Sequence, residues 1–221
     1  MQGSMQDVQV RSQLLPLLRT PLLGELLAWI YLHPDDEWSV SELASRLKGS
    51  QSTVSREADR LVESDLIQER RRGNLRLLRA NLDGPMARPL TELLAMAYGP
   101  PAVLADELAD IPGVNQAYVY GSWAARYSGE PGPTPRDIDV LVVGNADEDA
   151  LFDAARAAEA RLGREVNVRR VQRRDWESDN KDPFLESVRS RPLVAIDMGE
   201  NWHEVATGQG HAGRHDLASR D

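Results

Sequence analysis

The chain has 221 residues, a formal net charge of −9 at pH 7, 41% hydrophobic residues and no cysteine. The length suits two small domains, since one domain usually takes about 100 to 200 residues. The lack of cysteine excludes disulfide bonds and cysteine-based zinc sites, and the acidic balance argues against non-specific binding of nucleic acid by the chain as a whole. No run of about 18 apolar residues occurs and no signal-like start is visible, so we expect a cytoplasmic protein without a membrane partner.

The N-terminal part, residues 13–83, has the pattern of three helices followed by a β-hairpin. Ser39 and Glu42 predict a capping box at the start of the second helix, because each side chain can satisfy a free backbone amide of the other residue. The third helix is expected to begin at Ser50. The hairpin is expected to turn at Gly73 and the asparagine that follows it, a pair typical of tight turns between strands.

This order of elements resembles the winged-helix DNA-binding domains of the MarR and ArsR type, over about residues 21–82. The resemblance implies that polar side chains of the third helix enter the major groove of double-stranded DNA, and that arginines of the hairpin reach its backbone or minor groove. The implied DNA-binding residues are Ser50, Gln51, Ser52, Thr53, Ser55, Arg56, Arg60, Arg71, Arg72 and Arg76.

Local charge agrees with this interpretation. Between Arg46 and Arg79 there are nine Lys or Arg residues against five Asp or Glu, a local excess of four positive charges in an acidic chain. Such a cluster attracts phosphate where the rest of the chain repels it. The alternative is a structural or dimerising winged helix that binds no DNA. Asp65 departs from the usual pattern, because these domains commonly place glycine after the recognition helix.

Two further helices are predicted for residues 84–111, between the domains. They connect the two parts of the chain, and they are also candidates for pairing with a second copy in a homodimer. The two ends, residues 1–12 and 201–221, are polar and lack helix or strand periodicity, so we expect both to be flexible.

The C-terminal part contains two predicted strands, 117–120 and 137–143, with a short helical segment between them that begins at Gly121-Ser122. A Gly-Ser pair at a strand-to-helix turn lets the backbone approach a phosphate closely. Asp137 and Asp139, two residues apart on a strand, project from the same face and can share one hard cation such as Mg²⁺. The alternative for these two aspartates is a solvated strand entry.

Together with an arginine on the intervening helix, these residues resemble the signature of the minimal nucleotidyltransferases of the polymerase-beta superfamily. The resemblance implies a mixed-sheet domain over residues 112–200 and an α+β chain of two domains. It implies that Asp137 and Asp139 are catalytic ligands of Mg²⁺. It also implies that a nucleoside triphosphate is bound by Gly121, Ser122 and Arg126.

The third carboxylate of that family falls on a predicted strand over 165–171, where its position corresponds most naturally to the neutral Asn167. Glu165 lies at the start of the strand and is the other candidate. A two-metal mechanism without a third carboxylate loses a ligand and its general base. We therefore expect a DNA-binding regulator with a nucleotide-binding domain in which catalysis is weakened or lost.

The alternative function is an active transferase that places a nucleotide on a protein or RNA acceptor, including as the antitoxin beside a partner toxin. Four arginines follow the third-carboxylate position and bear on both functions. They either grip a triphosphate or the acceptor, or form an ordinary solvated edge. They are Arg169, Arg170, Arg173 and Arg174.

Overall fold

The computed structural model describes residues 18–178 and 182–199. The two expected flexible ends, 1–12 and 201–221, lie outside these ranges. The described residues form helices and two β-sheets, so the expected α+β class is confirmed. None of the described helices combines the length and apolar character that a membrane crossing requires.

The first sheet belongs to the N-terminal part, where three helices precede an antiparallel hairpin as predicted. The strand order is β1-β3-β2, and all pairings are antiparallel. We call the hairpin of β2 and β3 the wing. The elements are α1 (Pro21–Leu32), β1 (Trp38–Ser39), α2 (Val40–Arg46), α3 (Gln51–Glu63), β2 (Ile67–Arg72) and β3 (Leu75–Ala80).

The helix starts follow from their capping side chains. The predicted capping box is confirmed, because the Ser39 hydroxyl accepts from the Glu42 amide at 3.2 Å and the Glu42 carboxylate accepts from the Ser39 amide at 2.8 Å. The Ser50 hydroxyl accepts from the Thr53 amide at 3.1 Å and fixes the start of α3. Asp65, after α3, adopts the left-handed conformation with φ of 57°, which aspartate tolerates better than most residues do.

Two helices follow the wing, α4 (Ala87–Tyr98) and α5 (Pro100–Leu108). They divide between the two parts of the chain, although the sequence predicted both as a connector. The apolar side of α4 packs against α1, and Leu94 is fully buried in the N-terminal core. The apolar side of α5 packs against a helix of the C-terminal part, where Leu104 is fully buried. The chain therefore passes from one core to the other near Gly99.

The second sheet has the strand order β6-β5-β4-β7. β5 and β6 are parallel, and the other two pairings are antiparallel, which gives the mixed sheet that was expected. The elements are β4 (Val114–Tyr120), α6 (Gly121–Tyr127), β5 (Asp137–Gly144), α7 (Glu148–Leu162), β6 (Glu165–Val171), α8 (Arg173–Glu177), α9 (Pro183–Arg189) and β7 (Val194–Ala195).

Helices cover both faces of this sheet. On one face, Ile138, Val140 and Val142 of β5 are fully buried in the core that includes α5 and α7. On the other face, Leu141 and Val143 pack with apolar side chains of α8 and α9. Since side chains alternate along a strand, Asp137 and Asp139 lie on this second face, before its apolar part begins.

The two parts of the chain meet where α1 ends and where α7 turns into β6. His33 is buried there, with Nδ1 at 2.8 Å from the Trp29 carbonyl oxygen and Nε2 at 2.9 Å from the Leu162 carbonyl oxygen. Arg164 donates to the Leu32 carbonyl. A cavity of about 1000 Å³ lies along this junction. The Trp29 and His33 rings, stacked at 4.1 Å, line it from the N-terminal part, and Leu162 and Arg164 line it from the C-terminal part.

Candidate functional sites

The first candidate site is the outer face of α3. Its inner residues Val54, Ala58 and Leu61 are buried in the N-terminal core, which turns the polar residues outward. Thr53 and Ser55 are half-buried at the edges of this face. The exposed members are Ser50, Gln51, Ser52, Arg56 and Arg60.

Two of the three acidic side chains on α3 are paired with neighbouring arginines. Glu57 pairs with Arg60 at 2.8 Å and with Arg19 at 3.2 Å. Asp59 pairs with Arg76 of the wing at 2.6 Å. These pairs reduce the repulsion that the two carboxylates would exert on a phosphate backbone, and they engage Arg60 within the protein.

Arg76 lies inside a network that joins the wing to α3. Its side chain is 20% exposed, and besides Asp59 it pairs with Glu69 across the hairpin at 2.9 Å and donates to the Ser55 hydroxyl at 3.3 Å. The sequence suggested a DNA contact for this residue, which remains a prediction. Its observed contacts instead fix the wing against α3.

The remaining wing arginines are more exposed. Arg71 has an 80% exposed side chain and a long ion pair of 3.5 Å with Glu69. Within the described residues, Arg56 and Arg72 form no ion pair and are exposed. These two arginines are therefore the cations of the predicted set that are least engaged within the protein.

The second candidate site is built where β4 ends and β5 begins. The register places Tyr120 beside Asp139, and the parallel pairing places Asp137 beside Glu165 and Asp139 beside Asn167. The two aspartates and the two β6 residues therefore share one face of the sheet. This is the arrangement expected from the sequence, with Asn167 next to the second aspartate.

Gly121 lies against the second aspartate. Its φ is +73°, and an ideal Cβ placed on it would lie 2.3 Å from Oδ2 of Asp139. Only glycine fits here without displacing the carboxylate, because the backbone conformation is left-handed and the space for a side chain is taken. Ser122 follows in the first turn of α6 and is exposed.

Arg126 lies in the last turn of α6, at the opposite end from Gly121. One of its terminal nitrogens donates to the Glu130 carbonyl at 2.7 Å, and a Cβ on Gly132 would lie 2.2 Å from the same nitrogen. The Gly/Pro-rich loop before β5 therefore wraps around this guanidinium. The triphosphate contact suggested for Arg126 remains a prediction.

The electrostatics of the site reflect two carboxylates in a partly buried place. Burial raises the pKa of Asp139, the neighbouring Asp137 raises it further, and Asn167 lowers it in part. Burial also raises the pKa of Tyr120, with a further increase from Asp139 and an opposing effect of Arg169. The ligand-free site therefore holds more negative charge than its surroundings readily accommodate, and a cation would relieve it.

Two carboxylates suit one Mg²⁺ that also binds the phosphates of a nucleotide, which is a common way for proteins to hold this ion. In residues 18–178 and 182–199, no group of three or more His, Asp or Glu side chains is arranged to hold a metal. The residues thus fit a magnesium ion brought by a triphosphate and do not supply the third carboxylate of a two-metal site.

Aromatic residues that border the site were not identified from the sequence. The Phe184 ring lies 5.9 Å from the Tyr120 ring, edge to face, and the Arg169 guanidinium lies 3.7 Å above Phe184. Tyr120 could have been found, since it directly precedes Gly121 and alternates with the buried residues of β4. Phe184 could not, because only the docking of α9 on the sheet brings it there.

The chain is similar to two solved structures of HlyU from Vibrio cholerae N16961, one of them the reduced protein. The sequence identities are 24% and 26%, and each alignment covers 44% of this chain and 98% of the HlyU chain with a TM-score of 0.32. No protein-family model matches the chain, and no curated protein matches it. What the chain does is therefore inferred from its own residues.

Proposed function

We propose that this chain is a DNA-binding transcriptional regulator whose C-terminal domain binds a magnesium–nucleoside triphosphate, with catalysis weakened or lost. The observation that carries the proposal is the outer face of α3. It is polar and exposed, it lies beside an arginine-rich wing, and two of its three acids, Glu57 and Asp59, are paired with arginines. A helix with these properties suits the major groove, and the wing suits the adjacent phosphates.

The roles divide by exposure. Gln51 and Ser52 lie exposed in the first turn of α3, the part of a recognition helix that commonly meets base edges. Arg56 and Arg72 are exposed and free of ion pairs within the described residues, which suits phosphate contacts. Phosphate contacts supply affinity and make it depend on salt, whereas base contacts supply sequence preference.

Selection from a pool of random duplex DNA tests the DNA-binding part. We expect the chain to retain a defined set of duplexes, and Arg56→Ala with Arg72→Ala to weaken binding and reduce its dependence on salt. Arg88→Ala is the matched control, since Arg88 is an exposed arginine on α4 that pairs with Glu92 at 2.8 Å, away from this face. Failure to retain any duplex at low salt would refute DNA binding.

The nucleotide-binding part is supported by the approach of Gly121 to Asp139 and by the shared face of Asp137 and Asp139. A ligand that binds only the folded chain stabilises it, by about 2.7 kcal/mol at a concentration of 100 times its Kd. For a chain of this size that corresponds to roughly 5 to 10 °C in melting temperature. Melting with ATP or GTP and Mg²⁺, against each component alone, measures it.

An active nucleotidyltransferase is the second candidate, and the register of β6 favours it. Glu165 pairs with Asp137 across the parallel strands and lies on the same face, so it is the one carboxylate of β6 next to the aspartates. Incubation with labelled triphosphates and candidate protein, toxin or RNA acceptors tests this function. Transfer that is lost in both Asp137→Asn and Glu165→Gln supports it, whereas equal labelling by Asp137→Asn contradicts it.

A further inference from the structure

The four arginines that follow Asn167 are not equivalent in the structure, although the sequence offers no reason to separate them. Three of them are engaged with carboxylates. Arg169 is the exception: within the described residues it forms no ion pair. The engaged pairs are Arg170 with Glu148 at 2.7 Å, Arg173 with Glu177 at 2.6 Å and Arg174 with Asp175 at 3.7 Å.

The position of Arg169 is set by the register of β6. Asn167 lies beside Asp139, and Arg169, two residues further, lies beside Leu141 on the same face. Two residues along a strand span about 6.6 Å. Arg170 points to the opposite face, where it also donates to the Ala146 carbonyl. Of Arg169 and Arg170, the two arginines of β6, only Arg169 therefore lies on the face of the sheet that carries the aspartates.

Phe184 holds the Arg169 side chain. The guanidinium carbon lies 3.7 Å from the centroid of the ring, a cation–π contact that leaves the edge of the guanidinium and its N–H groups open. The same ring contacts Tyr120, which precedes the glycine turn. The stack thus presents a preorganised cation along the border of the candidate nucleotide site, with no ion-pair partner among residues 18–178 and 182–199.

Charge balance explains why such a cation is needed. A nucleoside triphosphate carries about four negative charges near neutral pH, and the Asp137 and Asp139 carboxylates add two, whereas one Mg²⁺ supplies only two positive charges. The planar guanidinium, with several donors in a fixed arrangement, matches phosphate oxygens better than a point charge does. Arg126, the residue first suggested for this role, is already bound to the Glu130 carbonyl.

We propose that Arg169, held over Phe184, grips the polyphosphate of the triphosphate that binds at Asp137 and Asp139. This inference rests on the proposed nucleotide binding and assigns the phosphate contact to one residue. Arg169 binds the ligand through its charge and its N–H donors, so the contact is independent of the base. Inorganic tripolyphosphate with Mg²⁺ is therefore a ligand for the same residue.

The test compares Arg169→Gln with Arg170→Gln, which removes the same charge from the next position of the strand on the opposite face. Binding of ATP, GTP and inorganic tripolyphosphate is measured by calorimetry and melting, each with Mg²⁺, and Mg²⁺ alone serves as a blank. We expect Arg169→Gln to weaken all three ligands about ten-fold or more, as for loss of a charge-assisted contact, and Arg170→Gln to change them less than about two-fold. Phe184→Leu, which keeps the charge and removes its support, is expected to weaken them less than Arg169→Gln does.

The outcomes separate the two proposals. If the unmodified chain binds the triphosphates and Arg169→Gln binds them equally well, the Arg169 assignment is wrong and nucleotide binding stands. If Arg169→Gln weakens ATP and GTP but not tripolyphosphate, the residue contacts the nucleoside, and the assignment to phosphate is wrong. If the unmodified chain binds none of the three, nucleotide binding itself is refuted, and the assignment with it. Melting without ligand confirms that each variant is folded.

Discussion

Arg76 offers the sharpest test of how the wing works, because its contacts predict a different result from those of a phosphate-binding arginine. We expect it to act by holding the wing on α3. Its partners are Asp59 at 2.6 Å, Glu69 at 2.9 Å and the Ser55 hydroxyl at 3.3 Å, and its side chain is 20% exposed. A guanidinium with three partners on two elements has few donors left for DNA.

The structure sets the size of the effect of Arg76→Gln. The Asp59 side chain is 55% exposed, so its pair contributes little, whereas Glu69 is 25% exposed and its pair is better shielded from water. Together with the bond to Ser55, the loss is about 1 to 2 kcal/mol in the free energy of unfolding. At about 2 to 4 °C per kcal/mol for a chain of this size, the melting temperature falls by roughly 2 to 8 °C.

The assay that separates the two roles is the salt dependence of binding to duplexes selected by the unmodified chain. Removal of one phosphate contact reduces the slope of log affinity against log salt by about 0.9. Arg72→Gln should show this reduction. Arg76→Gln should lower affinity with the slope unchanged, because the wing is displaced while the phosphate contacts remain equal in number.

Arg76→Lys makes the distinction independent of net charge. Lysine retains a phosphate contact but cannot reach Asp59, Glu69 and Ser55 together, since it lacks the branched donor group of arginine. We therefore expect Arg76→Lys to lose affinity nearly as Arg76→Gln does. Near-normal affinity in Arg76→Lys, together with a slope reduced by about 0.9 in Arg76→Gln, would refute the positioning role.

Three more predictions concern the C-terminal site and the domain junction. Gly121→Ala should lower the melting temperature more than Gly129→Ala does, and it should abolish triphosphate binding. Both glycines have positive φ, but only a Cβ at position 121 meets Asp139. Equal effects of the two substitutions on the melting temperature would contradict this. Asp139→Asn should raise the melting temperature of the ligand-free chain and abolish its stabilisation by triphosphate with Mg²⁺. Since the folded chain raises the pKa of Asp139 above its ordinary value of 3.8, ionisation disfavours folding, and the gain should grow as pH rises through the raised pKa and vanish in acid. The pKa of His33 is lowered, chiefly by burial, so the folded chain resists protonation of this residue. Acidification below the ordinary pKa of 6.5 should therefore lower the free energy of unfolding of the unmodified chain more than that of His33→Gln. The difference is at most about 1.4 kcal/mol per pH unit. Urea unfolding of both chains between pH 7.5 and 5 measures that difference, and parallel curves would show that His33 is not responsible.

Local signals in the sequence predicted most of the elements and which strand residues share a face, but not the short helix α8. The Ser39 and Glu42 pair predicted its capping box because both partners lie within one helical turn. The alternation of Asp137 and Asp139 with buried apolar residues predicted that the aspartates share a face, since side chains alternate strictly along a strand. These features depend on neighbouring residues alone, so periodicity and spacing contain them.

Contacts between elements could not be predicted in the same way. Arg76 and Arg72 look alike in the sequence, and only the packing of the wing on α3 gives Arg76 its partners Asp59 and Ser55. Likewise, periodicity marked the apolar sides of α4 and α5 without indicating that the two helices pack on different cores. Arg169 and Phe184 are 15 positions apart in the chain, and no local pattern connects them.

The neutral side chain of Asn167 limits the repulsion between like charges at the site. An acid at position 167 would place a further like charge beside Asp139, whose pKa burial and Asp137 already raise. Each added carboxylate makes the ligand-free state less stable, because it adds repulsion between like charges. Asn167 instead lowers the pKa of Asp139 and so favours its ionised form, which is the form that binds a cation. Under the proposed regulatory function the chain must also be stable without a nucleotide, and a neutral Asn167 favours that stability; in an active transferase the same residue would remove a metal ligand.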